Sequence, residues 1–257
     1  LKTRKPMKIF FRTTSNKAGK FRPDWFSYES CFKSIKPREQ DELIVFFDGD
    51  PETVHEYIGD TKTVFAKEGG SETKSFKSLF EYLKDKGAPL DPDEIVYIVE
   101  DDYLHRPGGL DALEDVLKNT NVEYATLYDH ADKYFPNYFE KFAFGFKTFL
   151  FHTEKSHWRT TPSTTNTFAA KYKTLMEDME THMKFSPTDE KTSRDHEKFH
   201  ALWSNGRTLV SAVPGLSTHV ENSLMSPCFD WSRVQGEWAS LTVDPLDNPV
   251  LEACTRS

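Results

Sequence analysis

Apolar residues along the first 120 positions follow two alternating rhythms. Continuous runs at 8–12 ("KIFFR"), 42–47 ("ELIVFF") and 94–99 ("EIVYIV") contain few polar positions, as strands covered on both faces do. A weaker run, "TVF", lies at 63–65. Between them apolar residues recur at helical spacing. One stripe, in a helix near 24–35, is Tyr28, Cys31, Phe32 and Ile35; a second is Phe76, Leu79, Phe80 and Leu83, stopped by Gly87. A third is Leu110, Leu113, Val116 and Leu117, opened by Pro107. Asp50 and Pro51 read as the N-cap and first residue of a short helix that Gly59 ends. This alternation predicts right-handed crossovers and an α/β fold with a mostly parallel sheet flanked by helices.

The second half is less regular. Strands are predicted at 123–129, 146–153 and 208–213, the middle one beside the aromatic segment "YFPNYFEKFAFGF". Phe168, Tyr172, Leu175, Met176 and Met179 fall on one face of a helix predicted from about Asn166 to Met183. A polar loop leads into a shorter helix containing "DHEKFHALW". "HWRTTPSTTNTF" reads as a capped helix start with a packed Trp158, although a Trp face also stacks on sugar rings. Core packing accounts for the aromatic run at 134–151 better than glycan binding does. The second half therefore reads as α+β.

Charge narrows the function. Lys and Arg number 33 against 41 Asp and Glu, a net charge of −8, which excludes unassisted binding to a nucleic-acid backbone. The three cysteines, Cys31, Cys228 and Cys254, are far apart and unpaired by spacing, as expected of reduced thiols in a cytoplasmic protein. No apolar stretch approaches the ~18 residues of a membrane span. The basic "LKTRKP" ahead of Met7 reads as a linker or a domain boundary.

The chemistry concentrates after the fourth strand, where Glu100, Asp101 and Asp102 stand side by side. Three adjacent carboxylates repel one another unless something cationic sits among them. Ligands of open α/β sheets bind at the carboxyl ends of the parallel strands, the edge these acids share with Asp48 and Asp50 of "FFDGD". Acids converging there favour a hard divalent cation, Mn²⁺ or Mg²⁺, with coordination positions left for substrate phosphates.

The order of these blocks resembles the nucleotide-sugar domain of GT-A (Rossmann-like) glycosyltransferases, especially the large inverting family of bacterial polysaccharide-type enzymes. An opening strand runs into a Thr/Asn loop ("FFRTTSN"), a helix follows ("WFSYESCFKSI"), a strand ends in acids ("FFDGDPET"), and "EDD" stands on the fourth strand in place of DxD. The resemblance implies a nucleoside-diphosphate sugar donor held by residues 7–130 and a carbohydrate acceptor held by residues 131–235. Residues 1–6 and 236–257 are then terminal extensions. It further implies that Thr13 lines the nucleotide pocket, Asp48 bonds the base, and Glu100 and Asp101 face ribose and sugar. Asp102 would bind the metal directly, and Lys74 would reach a phosphate.

Inverting transfer needs a base for the acceptor hydroxyl. In the resembled family that base is an acid near a helix start in the second half. "SRDHEKF" offers Asp195 first and Glu197 second, an N-cap role being the competing explanation for Asp195. His219 in "PGLSTHVE" matches the loop that gives many GT-A enzymes a further metal or phosphate contact, and an imidazole suits Mn²⁺ better than Mg²⁺.

Other readings compete. "IVFFDGDPET" resembles the nucleophile motif of haloacid-dehalogenase-like phosphatases, with Asp48 as nucleophile, but its hydroxyl falls one residue late, at Thr53. A sugar nucleotidyltransferase would want a richer glycine loop than "TTSNKAGKFR". A non-catalytic glycan-binding module would keep the aromatics without needing the acids.

Overall fold

The computed structural model describes residues 6–17, 19, 21–85, 91–134 and 147–236. The chain runs β1 (Met7–Thr14), α1 (Tyr28–Ser34), β2 (Glu42–Asp48), β3 (Thr63–Phe65), α2 (Glu72–Asp85), β4 (Ile95–Glu100), β5 (Tyr103–His105) and α3 (Gly109–Asn119). Then come β6 (Tyr124–Thr126), β7 (Leu150–His152), β8 (His157–Thr160), β9 (Phe168–Lys171), α4 (Tyr172–Glu177), α5 (Met179–Lys184), α6 (Asp195–Ser204), β10 (Leu209–Val213), β11 (Ser217–His219) and α7 (Trp231–Gly236). The main sheet has the order β3-β2-β1-β4-β9-β6-β10-β8-β7, and β5 pairs with β11 in a separate small sheet.

The α/β architecture predicted from the sequence is the one observed. β3, β2, β1 and β4 are parallel neighbours, β9 is antiparallel to both β4 and β6, and β6 and β10 are again parallel. Successive strand residues face opposite sides, and both sides are covered. On one side Ile9, Phe11, Val45, Phe47, Tyr97 and Val99 pack with Phe32 of α1 and Leu113, Val116 and Leu117 of α3. On the other, Phe10, Ile44, Phe46, Val96 and Ile98 meet Phe76, Leu79, Phe80 and Leu83 of α2 and Phe199 and Leu202 of α6. Coverage of both faces is why the strand runs are apolar throughout. Burying each large side chain contributes about 1.5–3 kcal/mol before chain entropy is counted.

Three elements depart from the predicted pattern. The helix predicted over 166–183 opens instead as β9 and continues as α4 and α5, which break at Asp178. Phe168 lies in helical phase with Tyr172, but Ala169 and Ala170 are small enough to sit fully buried between β4 and β6, and pairing there wins. At the break, the Asp178 carboxylate accepts bonds from Tyr124 (2.8 Å) and Arg207 (2.8 Å). "HWRT" is the strand β8 rather than a helix start, and Trp158 is fully buried, which removes it as a sugar platform. β5 and β11 had no separate signal, because each is three residues long.

Shorter adjustments are local. α1 begins at Tyr28 because Ser27 caps it, its side chain accepting from the Ser30 N–H at 3.3 Å. α3 begins two residues after Pro107, with Gly108 as a left-handed cap. The aromatic segment over 135–146, Gly87 and the extensions at 1–5 and 237–257 lie outside the described residues. No helix among the described residues is long and apolar enough to cross a membrane.

Candidate active site

β1 and β2 end level, Thr14 in register with Asp48, and β4 ends two residues earlier on the same edge, with Glu100 in register with Arg12. The chain leaving β4 therefore delivers its three acids to the carboxyl edge of the sheet, and each meets a cation. The Glu100 carboxylate lies 4.0 Å from Arg12 and accepts from the Thr167 hydroxyl at 3.3 Å. Asp101 accepts from the Thr13 hydroxyl at 2.6 Å and is paired with Lys17. Asp102, 4% exposed, accepts from Arg22 at 2.7 Å. Its same oxygen lies 3.2 Å from Nε2 of His219, 117 residues further along the chain.

The small sheet makes that last meeting. His219 of β11 is in register with Tyr103 of β5, immediately after Asp102, and the two rings stack at 5.1 Å and 6°. Glu221 adds a carboxylate oxygen 3.9 Å from the same imidazole nitrogen. Among the described residues no group of three or more His, Cys, Asp or Glu side chains is arranged to hold a metal by itself. At this point of the rim the Asp102 carboxylate and the His219 imidazole lie side by side, with the Arg22 guanidinium as the cation against Asp102.

A second cluster adjoins the rim. Glu72, which opens α2, takes bonds from Ser193 N (2.7 Å), Ser193 Oγ (2.8 Å) and Asn166 Nδ2 (2.6 Å), while its backbone oxygen accepts from Arg12 at 2.9 Å. Asn166 Oδ1 accepts in turn from Lys198, whose ammonium also lies 3.1 Å from Asp195 Oδ1. The two clusters share one electrostatic field. Burial and then the Glu72 charge raise the Glu100 carboxyl above its ordinary value, with Arg12 opposing and Asp102 and Asp195 adding to the rise. Burial likewise pushes Asp195 up to about 6, with Lys198 opposing and Glu72 adding. The Asp195 side chain keeps 28% of its surface open, so solvent reaches it.

The residues singled out from the sequence are thus distributed unevenly. Thr13, Glu100, Asp101, Asp102 and His219 converge on the rim, and Asp195 joins them through Lys198, Asn166 and Glu72. Asp48 is turned to a loop instead, where both of its oxygens accept from the Gly70 N–H (3.0 and 2.9 Å). A Cβ on Gly69 would fall 1.8 Å from Asp48 Oδ1, so only glycine permits this anchoring. Lys74 is half-buried in the first turn of α2, and its ammonium makes no ion pair with a described residue. Glu197 is exposed on α6, outside the cluster. Arg12, Lys17, Arg22, Glu72, Asn166 and Lys198 were not singled out. Arg12 had one signal, a charge directly after the apolar run of Ile9, Phe10 and Phe11 in β1.

No protein-family profile and no curated protein matches the chain. Among solved structures, it is similar to a CMP:2-keto-3-deoxy-manno-octonic acid synthetase in complex with CTP, at 13% identity and a TM-score of 0.46 over 82% of this chain and 92% of that one. It is also similar to glucosyl-3-phosphoglycerate synthase from Mycobacterium tuberculosis in complex with Mn²⁺, uridine diphosphate and phosphoglyceric acid. There the identity is 13% and the TM-score 0.38, over 65% of this chain and 56% of that one.

Proposed function

We propose that the chain is a metal-dependent glycosyltransferase that moves a sugar, with inversion, from a nucleoside diphosphate to a carbohydrate hydroxyl. The observation that carries this reading is the meeting of Asp102 with His219 at 3.2 Å on the sheet rim, next to Glu100, on which the charges of Asp102 and Asp195 both act. A carboxylate oxygen and an imidazole nitrogen are a donor pair suited to Mn²⁺, and two protein ligands leave positions for phosphate oxygens. Arg22 stands in for the cation at that carboxylate. The bound metal would neutralise the departing diphosphate.

The chain's own residues supply the rest. Lys17 and Arg22 bring positive charge to the edge where the diphosphate would lie, and Thr13 with Asp101 borders the nucleotide side. Glu100, held next to Thr167, faces the sugar. Asp195 accepts the proton of the acceptor hydroxyl as its oxygen attacks the anomeric carbon from the face opposite the leaving group. A carboxyl pushed up to about 6 is a stronger base than an ordinary aspartate and is still ionised at neutral pH. The "EDD" arrangement and the order of blocks support kinship with the large inverting family.

Calorimetry of nucleoside diphosphates with Mn²⁺ and with EDTA tests the donor half of this reading. Binding that requires the metal and disappears in Asp102→Ala supports it. Equal binding in EDTA, or none for any of the common bases, refutes it. A screen of nucleotide sugars for metal-dependent hydrolysis then identifies the donor.

A further inference from the structure

Lys198 is 0% exposed, a rare position for a lysine, since burying an ammonium is costly unless it is well paired. Its surroundings are specific. The ammonium lies 4.5 Å from the centre of the Phe76 ring, with Phe199 at 5.4 Å and Phe168 at 5.8 Å, and its polar contacts are Asn166 Oδ1 and Asp195 Oδ1. Asn166 is itself fixed, because its Nδ2 donates to Glu72, which leaves only its oxygen to face Lys198. Glu72 is fixed by Ser193 and Arg12. The chain Arg12–Glu72–Asn166–Lys198–Asp195 therefore joins the rim of acids to the start of α6 without a break. Were stability the sole requirement, a methionine in this aromatic pocket would serve at least as well.

Resting on the glycosyl-transfer reading, we infer that Lys198 is a positioning residue: pinned by Asn166 in an aromatic pocket, it orients the Asp195 carboxylate and holds it in its proton-accepting form. Glu72 acts as the counterweight. The charged groups facing Asp195 are Lys198 from its own helix, Glu72 from α2, Arg12 from β1 and Glu100 from β4. Of these, Lys198 alone touches the carboxylate directly. Burial and the Glu72 charge both favour the protonated acid, and Lys198 is the main group opposing them. The two charges act in opposite directions on one carboxyl, which separates an electrostatic role from a packing role.

The test uses the full chain with Lys198→Met, Lys198→Gln and Glu72→Gln, each checked for folding by its thermal transition. The titration of Asp195 is followed by carboxyl ¹³C NMR, and, where transfer is measurable, kcat/KM is followed against pH. We expect a midpoint near 6 in the parent. Both Lys198 variants move it upward by about one to three pH units, and Glu72→Gln moves it downward. The acid limb of kcat/KM shifts with the NMR midpoint, and activity is recovered at higher pH in the Lys198 variants. Midpoints that stay put, or that move the same way in Lys198→Gln and Glu72→Gln, overturn the inference, and either Lys198 variant that folds decides it. If the midpoints move as expected while no nucleotide sugar is a substrate, the coupling of Lys198 to Asp195 stands and the glycosyltransferase reading falls.

Discussion

Replacing Asp195 with asparagine removes a charge from the candidate site while keeping its shape. It should remove one pH-dependent contribution to stability and the proton acceptor the proposed transfer requires. The magnitude follows from the environment of the carboxyl, which is displaced from the ordinary 3.8 to about 6 by burial and by Glu72, only partly offset by Lys198 and Arg12. At about 1.4 kcal/mol per tenfold change in proton affinity, that displacement corresponds to about 3 kcal/mol. The sign is fixed by linkage. Between about pH 4 and pH 6 the folded chain holds a proton on Asp195 that the unfolded chain has released, so this contribution to stability is present below the unfolded value and is lost as pH rises through 6. Asparagine has no such dependence. Urea denaturation of the parent and of Asp195→Asn at intervals from pH 4 to pH 8 measures the difference. The stability of the parent relative to the variant should fall by about 2 kcal/mol across that range, the rest of the displacement lying below pH 4. A flat difference, or one of opposite slope, would show that Asp195 lies in no such field and would remove the argument for it as a tuned base.

Other outcomes follow from separate parts of the molecule. Asp102→Ala and His219→Ala should each weaken Mn²⁺-supported nucleoside diphosphate binding roughly tenfold or more by calorimetry. Gly69→Ala places a methyl 1.8 Å from Asp48 Oδ1 and should lower the melting temperature by displacing the loop that Asp48 anchors, with a cost of about 1–3 kcal/mol. Phe76→Ala removes a fully buried ring that packs on Phe80 and lies under both Arg12 and Lys198, and should cost about 3–5 kcal/mol in urea. His182 is completely buried and burial holds its imidazole well below 6.5, so the unfolded chain takes up a proton that the folded one refuses. Stability should therefore drop as pH falls below about 6.5, and His182→Phe, which keeps the ring packing on Phe80 and Phe168, should flatten that decline.

How far the fold could be read in advance depended on where the physical cause lay. β1, β2 and β4 were legible because burial on both faces forces a continuous apolar run, a local mark. β9 was not, because Phe168 satisfies the helical stripe of Tyr172, Leu175 and Met176 and only the slot between β4 and β6 turns the segment into a strand. The acids at 100–102 stood out because three charges end an apolar run. The contact of Asp102 with His219 depends on two three-residue strands pairing across 117 positions, and nothing near either residue announces it. Glu72 and Lys198 were hidden for a related reason. A single charge on an amphipathic helix reads as solvent-facing, and only the packing of α2 against the start of α6 turns both inward.

One strand of four residues bears on how this chain can be cut. β9 comes from the second half of the sequence, yet it fills the gap beside β4, the strand that carries the acids. A fragment ending near residue 130 would leave the backbone of Ile95–Ile98 without a neighbour on that side and would strip Phe168 from the packing around Phe10 and Phe76. Truncation is therefore a poor route to an isolated N-terminal piece, and any deletion series on this protein should keep Phe168–Lys171 with the strands that precede it.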